Sequence, residues 1–318
     1  MKYEIDHKEI QDKEVSGWWN DERTKKWHEF TYDKNNPLSH HLILRQKTVL
    51  DFLQKLDLPK GSKVLELGGG AGQTAKKICE LGFNLTGIDI SKHLIEESNR
   101  KCEQYVKQGN ANFINSSMEK KFPINDNEFD VCIIVGSLQY VADLNACFKE
   151  INRVLKKDGN LIICQANMYP LLDIIKPRHM ILKLVYFFFN EEFLISPSFK
   201  SILCESALGK YFKRYENSKF MNLSFMVKGT DKWDYKIKKR LYSYSRLKKI
   251  LKNFGYDVKY KTGATFFFPK KNIFFYLLFS IDFFLQKLLD LKIMPFLINF
   301  SDNIVILSKK NEYSNYSS

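Results

Sequence analysis

At 318 residues the chain has room for about two domains, or for one α/β domain with insertions, and its core needs no disulfide or metal staple. An apolar fraction of 44% and a charged fraction of 27% exclude general disorder. The net charge of +14 is unevenly placed: residues 1–167 carry 24 basic and 24 acidic side chains, and residues 168–318 carry 26 and 12. The second part also holds 19 of the 26 Phe and 12 of the 16 Tyr, so two regions of different chemistry need explaining.

In chain order, residues 1–58 read as polar and helical, with aromatics at Trp18, Trp19 and Trp27. Leu42, Val49, Leu50, Leu53 and Leu56 fall at helical spacings, which predicts a cover helix that ends at Pro59-Lys60-Gly61. Strand and helix then alternate. SKVLELG is a strand, AGQTAKKICELGF a helix closed by Gly82, and NLTGID a strand. SKHLIEESNRKCEQYVKQG is one helix, with Ser91 as N-cap and Gly109 as stop. NFINSS and FDVCIIVGS are strands, DLNACFKEINRVLKKDG a helix and GNLIICQAN a strand. Near-continuous apolar strands alternating with helices predict a parallel sheet covered on both faces.

The alternation stops near Asn167 and resumes with the helix SYSRLKKILKNFG, the strand YDVKYKT and a final strand NIVILSKK. Asp282, Lys287, Asp290 and Lys292 interrupt the apolar stretch 273–298, so a buried or interfacial helix is expected there and not a membrane span. The six cysteines form no CxxC pair and no Cys/His cluster, which predicts reduced thiols and no metal site. The opening MKYEIDHKEIQDKE lacks the apolar run of a secretory leader, the pattern of a cytoplasmic protein.

The most informative segment joins the first strand to its helix: Val64-Leu-Glu66-Leu-Gly68-Gly-Gly70-Ala-Gly72-Gln-Thr. Glycines let the backbone turn sharply and approach a ligand, and the helix start offers unpaired N–H groups. A dinucleotide fingerprint G-x-G-x-x-G/A would place its third small residue at Gln73, a mismatch. Read from the acid, the pattern is E-x-G-x-G-x-G over Glu66, Gly68, Gly70 and Gly72. Asp89 ends the second strand, where a carboxylate can accept from both hydroxyls of a ribose.

These blocks resemble the class I S-adenosylmethionine-dependent methyltransferases, in particular those acting on quinones, lipids and other small molecules. VLELGGGAGQTA is similar to the family's first motif and GIDIS to its acidic turn, and FPINDNEFDVCIIVGSLQYV followed by FKEINRVLKKDGNLII resembles its later run. The resemblance implies an α/β, Rossmann-like, mostly parallel seven-stranded sheet with helices on both faces and a reversed last strand. It also implies S-adenosylmethionine as cofactor. It divides the chain into a helical cover (1–58), a cofactor-binding core (59–167), an inserted lid (168–242), a completion of the core carrying the apolar insertion (243–310) and a disordered tail (311–318). By position, Glu66 and Gly68, Gly70 and Gly72 would hold the methionine end, Asp89 the ribose, Ile90 the adenine face, Ser117 and Met118 the adenine edge, and Gly136 the region of the sulfonium. The chain departs from the family at Ser117, where an acid is usual, and at the extra lysine of Lys120-Lys121.

Methyl transfer to oxygen or carbon needs a base as well as positioning. Tyr140, after the fourth strand, and His179, in the inserted segment, are the candidates. Trp18 and Trp19 read as packing residues, with a substrate platform as the alternative, and His40 and His41 as capping or surface residues at the start of the cover helix. No Asn/Asp-Pro-Pro-Tyr/Phe motif, Pro-Cys pair or double-glutamate loop is present, which disfavours base, cytosine or arginine methylation. The basic aromatic insertions are expected to build an apolar acceptor pocket with a basic rim, for a small or lipid-linked acceptor; the basic clusters could lie on an anionic membrane surface, hold a phosphorylated acceptor, or be solvated helix faces. Two alternatives remain: an RNA methyltransferase gripping phosphates through Lys232–Arg240 and Arg246–Lys252, and a non-catalytic protein that keeps only the fold.

Overall fold

Seven short apolar segments pair into one sheet: β1 (Lys63–Leu67), β2 (Asn84–Asp89), β3 (Ala111–Asn115), β4 (Phe129–Val135), β5 (Leu155–Ala166), β6 (Tyr256–Ala264) and β7 (Asn303–Lys310). The structure is a computed structural model that describes residues 2–21, 32, 39–167, 242–266, 281, 284–289 and 291–311. Strand order is β3-β2-β1-β4-β5-β7-β6. The first five strands are parallel, and β7 runs antiparallel to both β5 and β6. This is the mostly parallel sheet with a reversed last strand that the resemblance implies. From β1 the chain moves outward through β2 and β3 and returns to β4 on the other side. The ends of β1, β2 and β4 therefore share a crevice at their carboxyl edge, with Leu67 level with both Ile88 and Ile134.

Strand alternation sends successive side chains to two cores. Leu65, Leu67, Cys132, Ile134, Leu161 and Ile163 pack against α6 (Leu144–Val154) and α7 (Tyr244–Asn253) through Phe148, Ile151, Leu247 and Leu251. Val64, Val131, Ile133 and Ile162 pack against α2 (His40–Gln54) and α3 (Gln73–Glu80) through Val49, Leu53, Ala75 and Ile78. The Phe148 and Phe254 rings stack at 4.3 Å. All five described cysteines are buried thiols outside any disulfide.

Three local expectations need correction. The single helix expected after Ser91 is two, α4 (Lys92–Lys101) and α5 (Glu103–Lys107), because the chain kinks at Cys102 to bury its thiol 3.9 Å from the Gly72 carbonyl. The α6 helix stops at Val154, since Leu155 pairs with Phe129 as the first residue of β5. Asn311, placed in the tail by sequence, donates to the Gly255 carbonyl at 2.8 Å. Ser91 caps α4 as expected, accepting from Leu94 N–H at 3.2 Å.

The helix α1 (Lys2–Asn20) crosses the carboxyl edge of the sheet. Ser16 Oγ donates to the Ile90 carbonyl at 3.3 Å, Ser91 Oγ to Asn20 Oδ1 at 2.8 Å, and Gln11 Nε2 to the Tyr140 carbonyl at 3.1 Å. These bonds tie α1 to the turns after both β2 and β4. Within 273–298, residues 284–289 are helical, and a 3₁₀ turn spans Pro295–Phe300. Among the described residues no helix is long and apolar enough to cross a membrane, and no cluster of three or more His, Cys, Asp or Glu is placed to hold a metal ion.

Candidate cofactor-binding site

The turn between β1 and α3 has a conformation that only glycine adopts easily. Gly68 sits at φ +67°, and a Cβ there would lie 2.3 Å from Ser137 Cβ. Gly72, the N-cap of α3, sits at φ +77°, and its Cβ would meet the Ser98 backbone at 2.9 Å. Gly70 also has positive φ. The turn is locked to the neighbouring one by Asp89, whose Oδ2 accepts from Gly70 N–H at 3.0 Å and Oδ1 from Ser91 N–H at 2.9 Å. Ser98 Oγ closes the ring by donating to the Gly70 carbonyl at 2.9 Å. Glu66, Gly69, Gly70, Asp89, Ile95 and Ser98 line the resulting cleft.

The cleft is electrostatically incomplete. Glu66 is buried, its Oε2 has no hydrogen-bond partner, and a Cβ on Gly69 would stand 2.6 Å from that oxygen. Burial first, and the Asp89 charge second, push the Glu66 carboxyl from its ordinary 4.5 up to about 8. Burial likewise lifts Asp89 from 3.8 to about 6, against the pull of its backbone donors. Of these two buried carboxyls, Asp89 spends both oxygens on backbone donors, whereas Glu66 Oε2 has none.

The fold thus binds protons on these groups at pH values where the unfolded chain has released them. Stability of the ligand-free protein is therefore expected to fall as pH rises from about 4 to about 8. Thermal melts across that interval check this, with Glu66→Gln expected to remove most of the slope. A flat wild-type profile would contradict the assignment.

The other sequence-derived residues spread along the same edge. Ile90 packs with Val15 and Trp18 under α1. Met118 reaches the glycine turn, its Cε 3.3 Å from where a Gly68 Cβ would stand. Ser117 spends its hydroxyl locally, accepting from Glu119 N–H at 3.2 Å. Gly136 follows β4 with φ +73°. Tyr140 meets Trp19 edge-on with centroids 6.4 Å apart. Burial drives the Tyr140 phenol well above its ordinary range even though the Arg45 charge pulls the other way, so it stays protonated and can donate a hydrogen bond. Trp18 is buried among apolar neighbours, in keeping with packing; His40 and His41 are the first two residues of α2, whose N-cap is Ser39. His179 and Lys232–Arg240 lie outside the described residues.

Sequence reasoning missed Arg45. Its guanidinium lies over Gly136, with Nη1 3.1 Å from where a Cβ would stand. It faces the Tyr32 hydroxyl, Cys164 and Tyr140, and these neighbours hold it protonated against the cost of burial. The residue as a whole is partly exposed, but the Nε is buried and has no hydrogen-bond partner. A signal was present: Arg45 sits between Leu42 and Val49 on the apolar face of α2, where a charge has no packing reason to be. The α1 contacts were missed too, because a polar helix shows nothing of what its few buried side chains touch.

Residues 65–163 match the family model of the methyltransferase domain. Over 150 residues the chain is 29% identical to the ubiquinone/menaquinone biosynthesis C-methyltransferase of Shewanella sediminis, which covers 46% of this chain and 55% of that protein. The match thus spans about half the length of the curated relative. Two solved structures share the fold. Magnesium protoporphyrin IX methyltransferase from Synechocystis, crystallised with S-adenosylhomocysteine, aligns with a TM-score of 0.54 and 12% identity over 95% of this chain and 100% of its own. Geranyl diphosphate C-methyltransferase from Streptomyces coelicolor aligns with a TM-score of 0.52 and 12% identity over 94% of this chain and 98% of its own. The glycine turn and the acidic pair thus lie in the part of the chain, residues 65–163, that is similar to the methyltransferase-domain family, on a sheet whose fold is shared with solved methyltransferases.

Proposed function

We propose that this chain transfers a methyl group from S-adenosylmethionine to a small-molecule or lipid-linked acceptor at the cytoplasmic face of an anionic membrane. The observation that carries the reading is the buried Glu66 carboxyl, its Oε2 without a partner, beneath a glycine turn that Asp89 clamps. Bound there, the cofactor supplies an electrophilic methyl on a sulfonium, with a leaving group that needs no protonation. Glu66 would hold the ammonium of its methionine end. Arg45, on the other side of the β1–β4 crevice, would take the carboxylate in a two-pronged contact. Asp89 retains lone pairs for ribose hydroxyls beyond the two backbone bonds it accepts. Ile90 and Met118 would flank the adenine, with Ser117 at its edge and Gly136 leaving space near the reacting centre.

On the acceptor side, α1 shields the crevice from water. Tyr140 would orient an acceptor oxygen by donating to it, since its raised pKa makes it a poor base near neutral pH. His179 is the second candidate for contact with the acceptor. Exposed Lys248, Lys249 and Lys252 on α7 support an anionic surface nearby.

Arg45→Met is expected to weaken S-adenosylmethionine binding about ten- to hundredfold, the worth of a charge-assisted hydrogen bond. Decarboxylated S-adenosylmethionine should bind wild type and variant alike. If the variant loses affinity for both ligands equally, the carboxylate role is wrong. The function is tested by incubating the chain with methyl-labelled S-adenosylmethionine and fractionated cell extract. Label in the organic-solvent fraction is expected, and label confined to RNA would overturn the reading.

A further inference from the structure

Near its carboxyl end β5 carries a buried amide without partners. Gln165 is fully buried, and neither its Nε2 nor its Oε1 has a hydrogen-bond partner. Leu161 and Ile163 face the core under α6 and α7, and Ile162 and Cys164 the core under α2 and α3. Strand alternation therefore places Gln165 on the α6 and α7 side. Its cross-strand neighbour there is Ile304, fully buried in the same apolar core. A primary amide brings two donors and a carbonyl acceptor, and burying all of them unbonded is destabilising. Asn167, two residues further on, is the contrast. Its Nδ2 donates to the carbonyls of Asn299 and Ser301, each at 2.8 Å.

The amide stands at the carboxyl edge of the sheet, beside the site. Val135 pairs with Cys164, and Gly136 N–H donates to the Cys164 carbonyl at 2.7 Å, so Gln165 is level with Gly136 at the end of β4. Gly136 is the position read as adjoining the reacting centre. The 3₁₀ turn Leu138–Tyr140 follows it, and the Tyr242 hydroxyl donates to the Leu138 carbonyl at 3.2 Å. Leu138 and Tyr242 are both fully buried in the α6 and α7 core. Gln165 thus joins an apolar core that underlies the turn bearing Tyr140. The cleft lined by Glu66 and Asp89 belongs to β1 and β2, and β1 is two strands away.

We propose that Gln165 is a specificity residue for the acceptor, and that its amide takes an uncharged hydroxyl on an otherwise apolar molecule. A hydroxyl can accept from Nε2 or donate to Oε1, and the apolar remainder suits Leu138, Tyr242 and Ile304. An ion is the wrong occupant. The amide is neutral, and a phosphate or carboxylate placed there would lose its hydration without meeting a cation. Arg45, the buried cation beside Gly136, comes from α2, which packs on the opposite face of the sheet. A phosphorylated head is thereby excluded from this position. The assignment rests on reading the ends of β4 and β5 as the acceptor side, but hydroxyl binding is measured without cofactor and succeeds or fails independently of methyl transfer.

The test is calorimetric titration of the full chain, and of Gln165→Met, with 4-propylphenol, propylbenzene and 4-propylphenyl phosphate. The wild type should bind 4-propylphenol at least about tenfold more tightly than either of the others, the worth of one buried hydrogen bond. In Gln165→Met the advantage of the phenol over propylbenzene should vanish. Methionine fills a similar volume without unbonded polar groups, so the variant should also melt about 2–4 °C above the wild type. Its affinity for S-adenosylmethionine should equal that of the wild type. Equal wild-type affinity for the phenol and propylbenzene, including no binding of either, overturns the inference. So does a preference for the phenol that survives in Gln165→Met. A variant that melts below the wild type overturns it as well, because an ordered water would then already satisfy the amide in the folded chain.

Discussion

Replacing Gly68 with alanine is expected to lower the denaturation midpoint and to abolish S-adenosylmethionine binding together. A Cβ at this position would lie 2.3 Å from Ser137 Cβ and 2.5 Å from Ser137 Oγ, with the backbone at φ +67°. Ser137 cannot simply rotate away, because its Oγ donates to the Leu67 carbonyl at 2.8 Å and the side chain is buried. Overpacking of this kind costs about 1–3 kcal/mol, and a left-handed non-glycine residue about 1–2 kcal/mol more. The least costly relief is to lift the glycine turn, which displaces Gly70 N–H from Asp89 and opens the cleft. Ser137→Gly in the same chain should recover part of the stability by removing the clash, while the φ penalty stays. Thermal melts and calorimetric titration of both variants check this. Wild-type affinity in Gly68→Ala would mean that the turn does not form the site.

Asp89→Ala should separate binding from stability. The carboxylate accepts two backbone N–H groups from two different turns, so its loss leaves Gly70 and Ser91 donors unsatisfied and the turns uncoupled. The same change removes a buried carboxyl that is itself destabilised by desolvation, and the two effects oppose one another in the folding equilibrium. Binding has no such compensation. An affinity loss of about a hundredfold is expected, with a small change in melting temperature. Asp89→Asn keeps one acceptor oxygen and should fall between wild type and alanine. Unchanged affinity in both would place the ribose elsewhere.

The local rules made the core of this domain legible. Continuous apolar strands, helical spacing in α6 and α7, Ser91 before its helix and the spacing from Glu66 to Asp89 each follow from short-range chemistry. What stayed hidden depends on long-range packing. That Cys102 would break a helix depended on the Gly72 carbonyl waiting across the turn, and that Leu155 would open a strand depended on Phe129. Arg45 is separated from Gly136 by some 90 residues of sequence, so only its awkward place on an apolar helix face announced it. The polar helix α1 gave no sign that Gln11, Ser16 and Asn20 fasten it to the turns around the crevice. The apolar character of residues 284–289 was visible as composition, but which of their side chains turn inward is set by how Leu285, Gln286 and Leu289 fasten the segment to the sheet.

The uneven charge has a structural counterpart. The charge-neutral first half supplies the cleft lined by Glu66 and Asp89, and Arg45 beside Gly136. The basic second half contributes the exposed lysines of α7 and of the segment at 281–296, both outside that cleft.

Calorimetric titration of the full chain with S-adenosylmethionine at pH 7, in two buffers of different ionisation enthalpy, addresses the central claim most directly. The account predicts saturable one-to-one binding whose apparent enthalpy depends on the buffer, because a cation entering beside Glu66 expels the proton that burial had kept there. Absence of binding, or binding with no proton released, would contradict it.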